Sequence, residues 1–276
     1  MQITAIETGK VRVRAKQVEG APGPARVLRT LLDREWTEPL PILCWLIDHP
    51  EGLILVDTGE TPRTAEPGYF PRWHPYHRFA VQMEVGPGQG VGDRLRALGV
   101  DPADISRVVL THLHTDHAGG LGDVAGSEVL VSRKELAAAT SRLAVVNGYL
   151  PHRWPQGISF TEIDFEDGPV GPFERSHTLT EAGDVVAIPT PGHTPGHLSV
   201  VVRTGGTTVV LAGDTSYTEA TMRSETLDGV SPDAPAARET LKHFAHWAAD
   251  EPLLYLPTHD PESAARLATL GGHGIR

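Results

Sequence analysis

The residues best suited to chemistry lie in one short segment, residues 111–120, with the sequence Thr-His-Leu-His-Thr-Asp-His-Ala-Gly-Gly. It places four candidate metal ligands close together: His112, His114, Asp116 and His117. The segment follows a strand-like apolar run at residues 108–110, and side chains at positions i and i+2 of an extended chain point to the same side. Neutral imidazoles and carboxylates are the ligands that zinc and similar divalent ions prefer. The segment therefore predicts a metal site rather than a histidine-rich surface loop.

Three further apolar runs each lead to another candidate ligand. The runs are residues 185–188, 209–213 and 253–256, and the ligands that follow them are His193, Asp214 and His259. Short apolar runs bounded by Gly, Pro and Asp predict strands that are covered on both faces. A single histidine after a strand is usually structural, but ligands at four strand ends would converge at one edge of the sheets. The whole set is large enough for two metal ions, with a carboxylate able to bridge them.

The strands that would carry these ligands alternate with helices. Residues 40–48 and 53–57 predict a β-hairpin, because two apolar runs flank a short turn that contains Pro and Gly. Ser132 is a typical capping residue and predicts a helix over 132–146, while residues 235–249 have the apolar spacing of an amphipathic helix. Two blocks of alternating strands and helices indicate an α/β protein, and periodicity alone indicates no more than that.

The spacing His-x-His-x-Asp-His resembles the signature of the metallo-β-lactamase superfamily. Residues 53–59, 190–197 and 213–215 are similar to further elements of that fold, so the resemblance covers nearly the whole chain. It implies a four-layer αβ/βα sandwich, in which two mixed sheets pack back to back with helices outside. Because the candidate ligands are spread from His112 to His259, dividing the chain would divide the site, and we expect one domain over residues 1–276.

The resemblance also implies a set of metal ligands and two divalent ions, with zinc expected and iron, manganese or cobalt as alternatives. One ion would be held by His112, His114 and His193, the other by Asp116, His117 and His259, with Asp214 bridging both. His197 matches no ligand position, and we expect a structural role for it. Asp57 is expected to hydrogen-bond ligand imidazoles or the loop that carries them.

Two such ions can share a water and lower its pKa to about 7, which gives a hydroxide nucleophile at neutral pH. This chemistry suits esters, lactones, thioesters, β-lactams and phosphoesters, and it does not choose among them. His114 favours a hydrolytic site, because the flavodiiron oxidoreductases of this fold place an acidic residue at that position. A metal-dependent oxidoreductase is therefore the less favoured alternative.

Residues 214–218 are similar to a segment of the N-acyl homoserine lactonases, the tyrosine included, and so are residues 40–45, 54–59 and 258–262. In those enzymes the tyrosine hydroxyl lies beside the metals and hydrogen-bonds the substrate carbonyl or the oxyanion formed from it. The resemblance thus implies a catalytic role for Tyr217. A donor aimed at developing negative charge contributes about 3 kcal/mol to lowering the barrier.

The reaction implied is the opening of a lactone ring, with N-acyl homoserine lactones as substrates, by attack of a metal-bridging hydroxide. Such an enzyme is a carboxylic ester hydrolase that quenches quorum sensing. Asp116 would be a ligand and would also pass a proton to the leaving ring oxygen. The alternatives within the fold are other lactones, thioesters of the glyoxalase II type, aryl esters and phosphotriesters.

The composition limits the partners. The formal net charge of −11 argues against nucleic acid and anionic membranes, whose binding surfaces are usually basic, and leaves a small-molecule substrate. The single cysteine, Cys44, excludes a disulfide within the chain, and we expect it to be buried in a strand. With no export signal or apolar span evident, we expect a cytoplasmic protein, either monomer or homodimer.

The aromatic residues of 69–79 and 149–154 are candidates for pocket walls, or for core or dimer contacts.

Overall fold

The computed structural model describes residues 1–20, 23 and 25–271. Its strands are β1 (Gln2–Val13), β2 (Leu40–His49), β3 (Gly52–Val56), β4 (Val81–Glu84), β5 (Ile105–Val109), β6 (Glu128–Ser132), β7 (Thr161–Ile163), β8 (His177–Thr178), β9 (Val185–Pro189), β10 (Leu198–Thr204), β11 (Thr207–Gly213) and β12 (Leu253–Pro257). Its helices are α1 (Ala15–Val18), α2 (Arg26–Leu31), α3 (Pro75–Phe79), α4 (Val91–Ala97), α5 (Thr115–Ala118), α6 (Arg133–Ala139), α7 (Glu219–Arg223), α8 (Ala234–Asp250) and α9 (Ser263–Gly271). Short 3₁₀ turns lie at Pro62–Ala65, Pro102–Asp104, Leu121–Val124, Val145–Asn147 and Pro151–Arg153.

The strands form two mixed sheets. The first sheet has the order β4-β1-β2-β3-β5-β6-β7, and the second has the order β12-β11-β10-β9-β8. In the first sheet β3, β5, β6 and β7 run parallel to one another, and in the second sheet β11 and β12 are parallel. The remaining neighbours pair antiparallel. Parallel neighbours need crossover connections, and these carry the helices to the outer faces of the sheets.

The two sheets pack face to face over a shared apolar core. Trp45 on β2 and Val109 on β5 belong to the same buried cluster as Ala187 on β9 and Leu211 on β11. Because side chains alternate along a strand, the residues next to these point away from the opposite sheet. Each sheet therefore has a second apolar face that needs its own cover.

Helices supply that cover. On the first sheet, Cys44 and Val108 pack in one cluster with Leu95 of α4, and on the second sheet Val210 packs with Phe244 of α8. The order of layers is therefore helix, sheet, sheet, helix, which confirms the predicted four-layer sandwich. Cys44 is fully buried as expected, and burial raises the pKa of its thiol, so it behaves as a small apolar residue.

Local sequence predicted some elements well and one poorly. The hairpin of 40–48 and 53–57 is confirmed as β2 and β3, whose register pairs Trp45 with Val56. The helix predicted over 132–146 is wrong in length, because α6 ends at Ala139. Ser132 does cap it by accepting from the Glu135 backbone, but the Thr140 hydroxyl donates to the Leu136 carbonyl at the other end. Such side-chain bonds compete with helix continuation.

The helix predicted over 235–249 is confirmed as α8. Asp233 caps it, accepting a hydrogen bond from the Ala236 backbone at 3.0 Å, and Pro235 lies in its first turn, where a missing N–H costs nothing. Its buried side includes Leu241 and Trp247. Across the part of the chain that the structure describes, no helix is both long enough and apolar enough to cross a bilayer.

The core between the sheets gives a stability prediction. Leu211→Ala removes a fully buried side chain, and the cavity it leaves should lower the free energy of unfolding by about 2–5 kcal/mol. Leu98→Ala is the matched control, since Leu98 is 52 % exposed and should change that energy by less than about 0.5 kcal/mol. Urea unfolding of both metal-free variants measures the difference. Equal midpoints for the two variants would contradict the inter-sheet packing.

Candidate metal centre

The fold brings the seven predicted ligands together from the ends of four strands. His112 and His114 lie in the loop after β5, and Asp116 and His117 lie on α5, which continues that loop. The other three follow the ends of β9, β11 and β12 and are His193, Asp214 and His259. The ends of these separate strands therefore meet at one place, as predicted.

Three imidazole nitrogens form the first group. His114 Nδ1 lies 3.1 Å from His112 Nε2 and 3.0 Å from His193 Nε2. The ligand atoms of all three residues lie within 4.8 Å of one another. Three nitrogens that face one small volume can hold a divalent ion.

Asp116, His117 and His259 form the second group, whose ligand atoms also lie within 4.8 Å of one another. His259 Nε2 is 3.5 Å from Asp116 Oδ2, and His117 Nε2 is 4.0 Å from Asp116 Oδ1. Two nitrogens and a carboxylate oxygen in this arrangement can hold a second ion.

Asp214 lies between the two groups. Its Oδ1 is 3.3 Å from His117 Nε2, and its Oδ2 is 3.5 Å from both His193 Nε2 and His259 Nε2. One carboxylate therefore faces members of both groups. This is the placement that a bridging ligand requires.

Unpartnered atoms test whether ions fit here. His117 Nε2 and Asp214 Oδ1 are buried and face each other at 3.3 Å, but neither makes a hydrogen bond within the part of the chain that the structure describes. Buried polar atoms almost always have a partner, and leaving one without costs about 1–3 kcal/mol. Coordination to a cation would satisfy both atoms, so the residues present fit divalent metal ions.

Burial and mutual contact set the charges of the cluster. Burial and the neighbouring imidazoles lower the pKa of His114 to about 3 and hold the pKa of His112 well below its usual value. Burial alone would raise the pKa of Asp214, but His259 and His117 outweigh it and hold that pKa well below its usual range. At neutral pH the site therefore offers neutral imidazoles at His112 and His114 and an ionised carboxylate at Asp214, the forms that bind metal. At His117 and His259 burial is outweighed by Asp214, which raises both pKa values, so a cation bound by the second group replaces protons there.

The far side of each of three imidazoles is fixed by an oxygen acceptor. His114 Nε2 lies 3.1 Å from the Asn147 carbonyl, and His259 Nδ1 lies 2.9 Å from the Pro41 carbonyl. A ring N–H that donates to a carbonyl leaves the lone pair on the other nitrogen, which faces the site. His117 is held in the same way, by a carboxylate.

That carboxylate is Asp57, whose Oδ2 lies 2.7 Å from His117 Nδ1. Asp57 also accepts from the backbone and the hydroxyl of Thr111. It is fully buried with φ at +60°, a conformation that is strained for a residue other than glycine. These hydrogen bonds hold it there, and they confirm the expectation that Asp57 anchors a ligand imidazole and the loop that carries it.

His197 is structural, as expected. Its Nδ1 pairs with the Thr190 hydroxyl at 2.9 Å, and its Nε2 accepts from the Asp214 backbone at 3.0 Å. Gly213 makes this approach possible, since a Cβ at Gly213 would lie 2.6 Å from His197 Nε2 and the residue has φ at +57°. His197 therefore positions Asp214 through the backbone.

Comparison with known proteins agrees with this geometry. The family model for the metallo-beta-lactamase superfamily matches residues 37–259, a range that contains all seven predicted ligands. This chain belongs to the metallo-beta-lactamase superfamily.

Within this superfamily the chain is similar to proteins named as lactonases. It is 30 % identical to N-acyl homoserine lactonase AiiA of Bacillus thuringiensis subsp. kurstaki over 228 residues, 80 % of this chain and 78 % of that protein. It is 28 % identical to N-acyl homoserine lactonase AttM of Rhizobium radiobacter over 234 residues, 82 % of this chain and 84 % of that protein. A crystal structure of a quorum-quenching N-acyl homoserine lactone hydrolase superposes with a TM-score of 0.73 at 25 % identity, covering 95 % of this chain and 94 % of that one.

In this member of the metallo-beta-lactamase superfamily, Tyr217 lies beside the second ligand group. Its ring stacks on His259, with ring centroids 5.7 Å apart and an interplanar angle of 24°. Its hydroxyl accepts a hydrogen bond from Gln17 Nε2 at 2.6 Å. Tyr217 is buried among apolar residues of β1 and β2, so it is held beside the metal centre.

Sequence reasoning missed Glu135, whose carboxylate holds the loops that carry the first ligand group. The buried carboxylate accepts from the Leu113 backbone at 3.0 Å, between two predicted ligands. It also accepts from the Thr194 hydroxyl at 2.7 Å and the Gly196 backbone at 3.2 Å, just after His193. One carboxylate thus joins the two loops that carry the first ligand group. The only local sign of Glu135 was its place in the first turn of a helix.

The two aromatic segments have mixed environments. Tyr69 and Tyr149 are buried, whereas Trp73 is 63 % exposed. Each segment also borders a cavity. One cavity of about 440 Å³ is lined by Phe70, Pro71, Arg72, His77 and Arg78, and the other, of about 370 Å³, is lined by residues that include His152, Arg153 and Trp154. The segments therefore supply core contacts and line two cavities. Walls of a pocket beside the ligands and dimer contacts stay predictions.

Glu135 gives a prediction that concerns metal affinity. Glu135→Gln keeps the shape of the side chain but removes the negative charge that accepts three hydrogen bonds. The loops of the first ligand group should then be held less firmly, and metal affinity should fall about 10- to 100-fold. Glu174→Gln is the control, because Glu174 is exposed. Competition with a chromophoric zinc chelator measures both affinities. Equal affinities for the two variants would show that Glu135 does not position the ligands.

Proposed function

We propose that this chain is a metal-dependent lactonase that opens the ring of N-acyl homoserine lactones. The observation that carries the proposal is the complete ligand set with Asp214 between its two groups and Tyr217 stacked on His259. The similarity to AiiA and AttM, both named as N-acyl homoserine lactonases, supports the choice of substrate. The product would be the open-chain N-acyl homoserine, a quorum-quenching reaction.

We propose zinc for the two ions, because zinc prefers imidazole and carboxylate donors of the kind grouped here. The assigned ligands are His112, His114 and His193 for one ion, Asp116, His117 and His259 for the other, and Asp214 for both. When bound, such a pair of ions lowers the pKa of a shared water to about 7 and polarises a carbonyl oxygen.

Residues of the chain supply the remaining steps. Tyr217 donates its hydroxyl hydrogen to the lactone carbonyl oxygen as negative charge develops there, which contributes about 3 kcal/mol to lowering the barrier. Water adds to the carbonyl carbon, the bond to the ring oxygen breaks, and that oxygen needs a proton. Asp116 takes the proton that the adding water releases and passes it to that oxygen, since its side chain is 15 % exposed whereas that of Asp214 is 6 % exposed, which leaves room for the leaving group.

The organisation and location of the chain are proposals of the same kind. We propose that residues 1–276 act as one domain, because the inter-sheet core joins both halves of the ligand set; residues 272–276 lie outside the described part. A cytoplasmic location is proposed because a chain with one cysteine, Cys44, can form no disulfide within itself, which suits a reducing compartment. Monomer and homodimer remain the two predicted states.

A titration assay tests the reaction directly. We expect zinc-loaded protein to release one proton per turnover from hexanoyl- and decanoyl-homoserine lactone at neutral pH, measured by pH-stat. Chelation should abolish the release and added zinc should restore it. Lack of turnover on both substrates, with two ions shown to be bound, would contradict this substrate class. Turnover confined to other lactones, thioesters, aryl esters or phosphotriesters would then identify the alternative.

A second variant pair tests Tyr217. Tyr217→Phe should keep both ions and lower kcat for lactones about ten- to a thousandfold, in line with the removal of one oxyanion donor. Tyr69→Phe is the control, since that buried hydroxyl bonds Glu60 instead and kcat should change far less. Metal content and steady-state kinetics provide the two measurements. An unchanged kcat in Tyr217→Phe would remove Tyr217 from the mechanism.

A further inference from the structure

One buried amide joins two tyrosine hydroxyls next to the metal centre. Gln17 lies on α1 and is 2 % exposed. Its Nε2 lies 2.7 Å from the hydroxyl oxygen of Tyr76 and 2.6 Å from that of Tyr217. A side-chain amide nitrogen carries two hydrogens, so Gln17 can donate one to each tyrosine. Three distant parts of the chain, α1, α3 and the segment after β11, meet at this point.

The direction of these bonds decides what the tyrosines can do. A tyrosine hydroxyl can accept one hydrogen bond and donate another. Because Gln17 occupies the accepting side of each oxygen, both O–H bonds are left to donate elsewhere. Among the described residues, neither hydroxyl has a second hydrogen-bond partner. The hydroxyls of Tyr76 and Tyr217, both held by Gln17 Nε2, are therefore two available hydrogen-bond donors.

Tyr76 lies close to the reacting centre as well as to Tyr217. It packs against the apolar cluster of β1, β2 and β4 that also surrounds Tyr217. Burial, with the carboxylates of Asp116 and Asp214 adding to it, raises the pKa of Tyr76. The hydroxyl therefore keeps its proton at neutral pH. Gln17 links it to Tyr217, whose ring stacks on the predicted ligand His259.

A cavity begins at the next residue along the chain. His77 follows Tyr76 on α3 and lines the cavity of about 440 Å³ with Phe70, on which its ring stacks at 4.7 Å. Both ring nitrogens of His77 are buried, and neither has a hydrogen-bond partner among the residues that the structure describes. The Tyr76 side chain thus starts from the same short helix that supplies one wall of this cavity.

We propose that Tyr76 is a specificity-determining residue, whose hydroxyl donates to the amide carbonyl of the acyl group while Tyr217 donates to the lactone carbonyl. In an N-acyl homoserine lactone only the α-carbon and the amide nitrogen separate the two carbonyl carbons, a spacing that suits two hydroxyls held by one amide. Gln17 is the positioning residue, because it keeps both hydroxyls as donors. This inference rests on the proposed lactonase function.

A pair of substrates separates this role from a structural one. N-hexanoyl homoserine lactone has the acyl amide, whereas α-hexyl-γ-butyrolactone has the ring and a chain without it. Tyr76→Phe should raise KM for the first about tenfold, as expected for one lost hydrogen bond, with kcat nearly unchanged. For the second lactone, KM should change less than about twofold. Calorimetry with the product N-hexanoyl-L-homoserine should show the same loss of affinity without any turnover.

Two substitutions at Gln17 test the direction of the hydrogen bonds. A carboxylate only accepts hydrogen bonds, so the side chain in Gln17→Glu should accept from the hydroxyls of both tyrosines and leave neither free to donate to the substrate. This variant should therefore lower kcat/KM for the acyl homoserine lactone at least tenfold more than Gln17→Met. Melting temperatures of both variants control for folding. Equal losses in the two variants would overturn the assignment of Gln17.

The outcomes distinguish this inference from the function on which it rests. Equal effects of Tyr76→Phe on both lactones, or no effect on either, would overturn the inference while leaving a lactonase. Wild-type protein that hydrolyses the alkyl lactone but no acyl homoserine lactone would overturn both the proposed substrate and the inference.

Discussion

The cost of burying polar groups governs this structure. The predicted centre gathers mostly buried imidazoles and carboxylates. Among the described residues, His117 Nε2 and Asp214 Oδ1 face each other at 3.3 Å, but neither atom makes a hydrogen bond. Each such atom destabilises the folded chain by about 1–3 kcal/mol. A cation that coordinates them recovers that energy, and binding to the folded state alone stabilises it further. The site and the stability of the fold are therefore coupled.

A cluster of this kind also needs its loops held before any ion arrives. Two buried carboxylates do this from opposite sides. Asp57 connects the end of β3 to Thr111 and His117, and Glu135 connects α6 to the loops around Leu113 and Thr194. Both accept several N–H and O–H donors, which is how a buried carboxylate offsets its own desolvation. The ligand loops are thus fixed by the sandwich rather than by the metal alone.

A residue's role could be predicted from the sequence where its neighbours in the chain reveal it, and not where its partners are distant. The ligand residues stand next to apolar runs, so their types and spacing show at once, and Asp57 ends a clear hairpin strand. Glu135 and Gln17 act through partners up to 61 and 200 positions away, and no local pattern distinguishes them from ordinary helix residues. The helix expected over 132–146 ends at Ala139 for a reason equally invisible to periodicity, a hydroxyl bonding back to a carbonyl.

A centre of this composition activates water toward many esters, so discrimination among substrates has to come from groups outside the ligand set. The sandwich places such groups on the short helices α1 and α3, which the family spacing does not specify. A hydrogen-bond donor in a site rejects a substrate that lacks the acceptor far more strongly than an apolar wall rejects a shorter chain, because the unpaired donor stays buried. The hydroxyls of Tyr76 and Tyr217, both held by Gln17, would therefore select for a second carbonyl.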